Sequence, residues 1–322
     1  MNTRHLLLAL AAGALAGLAA AGPTPGWVDV LDAPAQKSPL AARALLNGLA
    51  RAGARVVAVG QRGHILWSDD AGVHWQQAEV PVSSDLVAVQ FPTPRQGWAV
   101  GHDGVILHSA DGGQTWQRQH DGRPDNADVP LLDCWFDDER TGWAVGAFGT
   151  LLATTDGGAH WQSVQDRADN PKKLHLYAVR AVAGQLWIAG EQGTLLRLDR
   201  ASGRFVAVPL PYQGTLFGVT GNDHAVIVHG LRGKVLRSTD GGAAWQVVPT
   251  GVPVGITAGT VDAAGRIVLA SQSGQLLVGA DDGARFAPVK SERPFPAAAL
   301  LGVAPGSVLV AGPRGVQAQP LP

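Results

Sequence analysis

One cysteine, one methionine and two tyrosines among 322 residues leave little reactive chemistry from which to build a site. The lone Cys134 rules out an internal disulfide framework and any cysteine-built zinc cluster. Charged residues make up only 16% of the chain and nearly cancel, giving a net charge of −1 and an isoelectric point near 6.8. Nucleic-acid-binding domains usually show an isoelectric point above about 9, so no nucleic-acid partner is expected. The motif His-Glu-x-x-His is missing, and the acidic stretch 121–128 lacks the spacing and closing Glu of a calcium loop, so neither metal nor cofactor is expected. Helical periodicity is missing as well, which excludes helical solenoids.

The one long apolar run is at the start. Arg4 precedes Leu6 to Ala20, and Ala19-Ala20-Ala21 fits the small-residue rule for cleavage. Residues 1–21 are therefore read as a signal peptide and 22–322 as one mature domain, exported to the periplasm or secreted. The run is mostly alanine and short of the roughly 20 residues that a membrane span needs, so no stable insertion of the mature chain is expected.

What the chain has in abundance is glycine, 42 residues of it, set at regular intervals. Gly101-His102-Asp103-Gly104 is followed by an apolar strand, then by Ser109-Ala110-Asp111-Gly112-Gly113, then by Trp116. Near copies run from Gly60 to Trp75, Gly146 to Trp161 and Gly230 to Trp245, with decayed versions from Gly190 and Ser271. The last glycine of each Gly-x-x-Gly turn falls at Gly63, Gly104, Gly149, Gly193, Gly233, Gly274 and Gly315, in steps of 40 to 45 residues. A period of about 40–45 residues carrying several short strands is that of a propeller blade. The expected fold is all-β: a seven-bladed β-propeller of four-stranded antiparallel blades.

Each repeat opens on a strand that aligns without gaps: Leu46, Leu86, Leu131, Leu176, Leu216, Ile256 and Leu300 head the seven copies. The third column is small in six of them, as expected where strands converge on an axis, and the fourth should face the sheet-to-sheet core. Cys134 stands in that fourth column and reads as a small core hydrophobe. The last repeat lacks a closing strand, while Gly26-Trp27-Val28-Asp29-Val30-Leu31 has no neighbour in sequence to pair with. Pairing the N-terminal strand into the last blade would close the ring and remove an open edge.

The Ser/Thr-x-Asp-x-Gly turn has a structural reading. Asp70, Asp111, Asp156 and Asp240 can each accept backbone N–H groups of their own turn, and Trp75, Trp116, Trp161 and Trp245 can fill the space between blades. A carboxylate recurring once per blade is placed for architecture, not for catalysis.

This Ser/Thr-x-Asp-x-Gly-x-Thr-Trp element resembles the Asp-box, or bacterial neuraminidase repeat. Joined to Gly-Trp-Ala-Val-Gly-x-x-Gly (97–104 and 142–149), it is similar to the photosystem II stability/assembly factor family of seven-bladed propellers. The likeness covers all seven repeats and is strongest in the second and third. It implies a non-enzymatic, exported accessory protein, a monomer that binds a protein partner in a membrane or envelope complex.

Asp boxes also occur in sialidase-like glycoside hydrolases, the alternative reading. Such a site needs three arginines, a Tyr nucleophile with a Glu partner and an Asp acid. Only Tyr177 and Tyr212 are present, and Tyr177 falls in the second column, which reads as core packing. As a binding module, the chain should present its Gly-x-x-Gly turns and inter-blade connectors on one face. Arg62, Lys290, Arg293 and Arg314 fall there on adjoining blades, and Arg123, Lys172 and Lys173 lie in the two longest loops. In the channel, the fifth column carries Trp135 and Arg180, and Asp133 of the third column stands beside Arg180 of the next blade, which predicts an ion pair.

Overall fold

The computed structural model describes residues 26, 28–123, 129–290 and 294–322. They form seven antiparallel sheets in sequence order, six of four strands and the last of three. Each first strand touches the first strands of its two neighbours, the seventh touching the first, so these strands surround a common axis. The architecture is a seven-bladed β-propeller. No helix among the described residues is long and apolar enough to cross a membrane.

Hydrophobic clusters lie between successive sheets, because each sheet buries both faces against its neighbours. Trp98 of the second blade stacks on Phe136 of the third at 3.7 Å between ring centres, and both side chains are fully buried. Burying such a ring removes roughly 150–250 Å² from water, about 4–6 kcal/mol as an upper bound.

The Gly-x-x-Gly turns fix how one blade meets the next. Each well-formed copy makes a single tight turn whose third residue is left-handed, as at Arg62 (φ 56°) and Phe148 (φ 54°). The closing glycine then lies against the backbone of the connector to the following blade. A Cβ on Gly63 would collide with the Val82 carbonyl oxygen, and one on Gly233 with that of Val252. Gly315 meets the Ala42 carbonyl in the same way, so the connector entering blade one does for the seventh blade what the others do for theirs.

Two sequence expectations are corrected. The N-terminal segment does not pair into the last blade among the described residues: 30–33 turn, and the Val30 carbonyl accepts Ser83 N–H at 2.8 Å. Leu31 is buried with Val80, Val82 and Trp116 between the first two blades, and apolar burial there outweighs an edge pairing on the far side of blade one. Blade seven thus has Ala299–Ala304, Ser307–Gly312 and Gly315–Pro320 as its strands. It is joined to blade one by packing of first strands and by Arg51, which donates from Nε and Nη2 to the Gly302 carbonyl (3.1 and 2.9 Å) and from Nη2 to that of Val303 (2.6 Å).

The second column is the other correction. The first strands of blades one to six each carry a register shift between their first and third residues, as between Leu176 and Ala178. That bulge turns the second residue out of the sheet-to-sheet core. Tyr177 and Phe217 are half-buried and line the central cavity. Residues 1–21, Trp27 and Arg293 lie outside the described residues.

Candidate functional site

In all four Asp boxes the Asp Oδ1 accepts the Ser or Thr hydroxyl two residues before it and the N–H four residues after it. In the second blade, Asp111 Oδ1 accepts the N–H groups of Gln114 (2.9 Å) and Thr115 (3.0 Å) and the Ser109 hydroxyl (2.8 Å). Asp111 Oδ2 accepts the Thr115 hydroxyl at 2.6 Å, and Ser109 Oγ accepts Gly113 N–H at 2.9 Å. Gly113 has φ 89°, a value only glycine adopts without strain, and its carbonyl accepts Trp116 Nε1–H at 3.0 Å. Trp116 is 4% exposed, whereas Trp75, Trp161 and Trp245 are half-buried.

These bonds hold the carboxylates ionised. Burial pushes Asp111 up, but the Thr115 hydroxyl and amide, Ser109 and Gln114 together bring it below the usual range. Asp70 is held well below by the His74 amide and imidazole and by Ser68, and Asp156 likewise by His160 and Thr154. The four carboxylates sit on four different blades, each facing into its own turn.

At the centre is a cavity of about 640 Å³ lined by the first strands. Asp133 and Arg180 meet there: Arg180 Nη1 lies 2.6 Å from Asp133 Oδ2, and it also donates to the carbonyls of Cys134 (3.2 Å) and Val179 (2.8 Å). Asp133 accepts Val179 N–H at 2.8 Å and Cys134 N–H at 2.9 Å and is 3% exposed, in the seam where blades three and four meet the channel wall. Burial pushes its pKa up, against the pull of Arg180 and the two amides. Trp135 stands two residues beyond Asp133 and donates to Asp137 at 3.0 Å. His229, fully enclosed, has its pKa drawn down to about 4 by burial and bonds the Ile256 carbonyl at 3.0 Å, so it is neutral. Besides Asp133 and Arg180, the charged side chain on the wall is Arg51. Cys134 is fully buried beside Trp98 and Phe136, and burial pushes its thiol up, away from reactivity.

The connector face carries the predicted cations. Arg62 is exposed, and its backbone N–H binds Asp85 at 2.7 Å. Arg314 lies over the Phe295 ring at 5.4 Å, and Lys290 is exposed on the connector between blades six and seven. Lys172 and Lys173 are exposed between blades three and four. Arg123 is engaged within the chain, 2.9 Å from Asp32 and 2.9 Å from Asp121, and with Arg118 it clamps the N-terminal segment to blade two. Sequence reading missed that clamp and Arg51, since neither has a local signal. Among the described residues, no group of three or more His, Cys, Asp or Glu is placed to hold a metal ion.

The family model described as photosynthesis system II assembly factor YCF48 matches residues 67–130 and 125–286. The chain is 34% identical over 64 residues to the photosystem II assembly lipoprotein Ycf48 of Synechococcus sp. (strain CC9902), covering 19% of each. It is 38% identical over 81 residues to the chloroplastic photosystem II stability/assembly factor HCF136 of Cyanidioschyzon merolae, covering 23% of this chain and 18% of that protein. The matched stretches thus span about a fifth of those relatives' lengths. A solved structure of YCF48 bound to D1 peptide superposes with a TM-score of 0.71 at 17% identity, over 89% of this chain and 98% of that one, a likeness of fold.

Proposed function

Because the chain belongs to the photosynthesis system II assembly factor YCF48 family, we propose that it is a non-enzymatic protein-binding scaffold that helps to assemble a membrane or envelope complex. The observation that carries this reading is the family match across residues 67–286. The solved structure of YCF48 bound to D1 peptide supports a peptide segment of a partner protein as the ligand. The protein acts after export, with residues 1–21 as the signal, and works as a monomer in the periplasm or outside the cell.

The site geometry favours binding over catalysis. Every box carboxylate accepts bonds from its own turn and the four sit on four different blades, whereas most glycoside hydrolases set two carboxyl groups about 5–10 Å apart across one bond. The Tyr177 phenol is pushed up by burial and by Glu191, the wrong direction for a nucleophile. The partner is met on the connector face by Arg62, Lys290, Arg293, Arg314, Lys172 and Lys173. Arg123 we assign to holding the N-terminal segment.

Purification of the tagged protein from gently solubilised membranes, followed by mass spectrometry, tests this. The expected result is a membrane-protein partner enriched over a control with an unrelated propeller. Recovery of the protein alone, or sialoside turnover lost on Tyr177→Phe, overturns the reading.

A further inference from the structure

One apolar side chain on the connector face is not accounted for by the fold. Phe148 is the third residue of Gly146-Ala147-Phe148-Gly149, where the other blades have Arg62, Asp103, Gln192, Arg232, Ser273 and Arg314. It is left-handed (φ 54°), and its side chain is 61% exposed. A polar residue serves the same turn elsewhere, so the turn does not call for a phenylalanine, and water opposes its exposure.

Phe148 is the outer end of a row of rings. Its centroid lies 4.9 Å from that of His175, which stacks on Tyr177 at 6.3 Å and 17°, and Tyr177 meets the edge of Phe217 at 5.9 Å and 81°. The row crosses blades three, four and five and ends at the central cavity, which Tyr177 and Phe217 line. His175, Tyr177 and Phe217 are half-buried, and Phe148 at the outer end is exposed.

The charge beside the row is positive. Lys172 and Lys173 are exposed just before His175, and the Lys173 backbone packs against Gly149, next to Phe148. Arg232 is exposed on the blade-five turn, and Lys234 lies over the Tyr212 ring at 5.6 Å. Of the carboxylates nearby, Glu191 accepts His175 N–H at 2.9 Å, and Asp169 is paired with Arg204 at 3.4 Å at the outer end of the connector, where Asp166 also lies.

We propose that this row is the docking groove for an extended peptide that carries apolar or aromatic side chains next to carboxylates. The rings take the apolar side chains and Lys172 and Lys173 the acidic ones, with the peptide running inward from Phe148 to the channel mouth. The proposal deepens the protein-binding reading given above and rests on it. Rings and cations also suit single-stranded nucleic acid, but a net charge of −1 over the whole chain favours the peptide.

The test uses three fluorescein-labelled probes against the purified protein: a ten-residue peptide alternating aspartate with leucine and phenylalanine, its lysine-for-aspartate counterpart, and oligothymidylate. The aspartate peptide should bind in preference to the other two. Phe148→Gln, the residue type of blade four, should weaken it about fivefold or more with melting unchanged. Lys172→Glu with Lys173→Glu should do the same and shift preference toward the lysine peptide, while Val73→Gln, an exposed valine beyond the row, should change nothing. Unchanged binding in the Phe148 and lysine variants overturns the proposal, as does tighter binding of oligothymidylate. The membrane purification keeps the two readings apart. If Phe148→Gln recovers the partner as well as wild type does, the groove is wrong and the scaffold stands. If wild type recovers no partner but the probe maps to the row, the groove stands and the scaffold fails.

Discussion

Replacing Arg180 with alanine removes the guanidinium that sits 2.6 Å from Asp133. The carboxylate stays behind, 3% exposed, with the N–H groups of Val179 and Cys134 at 2.8 and 2.9 Å as its remaining donors. Breaking a fully buried pair from one side usually costs about 3–5 kcal/mol. Here the Arg180 side chain is 35% exposed to the channel, so water can take part of the vacated place, and the two amides go on solvating the charge. The expected loss is therefore about 2–3 kcal/mol, or roughly 3–5 °C in melting temperature for a domain of about 300 residues. The double variant Asp133→Ala, Arg180→Thr carries the residue types that Ala88 and Thr220 supply in the same columns. It should recover most of the loss, because no charge is left stranded. A pH series gives an independent readout. Burial already pushes Asp133 up, and Arg180 opposes this, so removing Arg180 raises it further. A carboxyl whose pKa is higher folded than unfolded binds more protons when folded, so its contribution to stability declines as pH rises. The deficit of Arg180→Ala should thus be largest near neutrality and shrink toward acid, as followed by urea unfolding at several pH values. A single variant that melts like wild type, or a double variant as unstable as the single, would refute the pairing.

Trp116→Ala should destabilise by about 3–5 kcal/mol, whereas Asp111→Ala should cost only about 1 kcal/mol, because water can reach the exposed Gln114 and Thr115 amides; denaturant midpoints decide. The box carboxylates have depressed folded pKa values, so their contribution is present above the ordinary carboxylate range and lost as pH falls through the folded values. Asp70→Asn with Asp156→Asn should accordingly flatten the fall in stability below about pH 4, and an unchanged acid slope would count against it. Arg51→Ala strips the Gly302 and Val303 carbonyls of a charged donor and should cost about 1–2 kcal/mol, with hydrogen exchange rising first in Ala299–Ala304.

The blade count, the antiparallel meanders and the strand heads were legible because glycine spacing reports turn geometry directly. The Asp133–Arg180 juxtaposition was legible too, since aligned columns of seven equivalent strands behave almost like an alignment. The second column defeated the same method. A single bulged residue leaves the sequence pattern unaltered yet reverses the side to which Tyr177 and Phe217 point. Leu31 defeated it for another reason. Its apolar neighbours, Val80, Val82 and Trp116, come from far along the chain, and Arg118 reaches its carbonyl and Arg123 the adjoining Asp32 across 87 and 91 residues. Phe148 was visible in the sequence as the odd residue of its column, but its link to His175 depends on how two blades dock.

The glycine that ends each Gly-x-x-Gly turn has a consequence beyond its own blade. Gly63, Gly233 and Gly315 let one backbone rest directly on the next, so the angular step between neighbours is set by peptide atoms, without an adjustable side chain between them. In an open array, a misfit at one such joint would simply tilt everything beyond it. In a circle there is nowhere for the tilt to go, and a methyl group at any one joint has to be absorbed as small rotations shared by all seven. The bore of the channel, and with it the spacing of whatever lines its mouth, is therefore a property of the whole circumference.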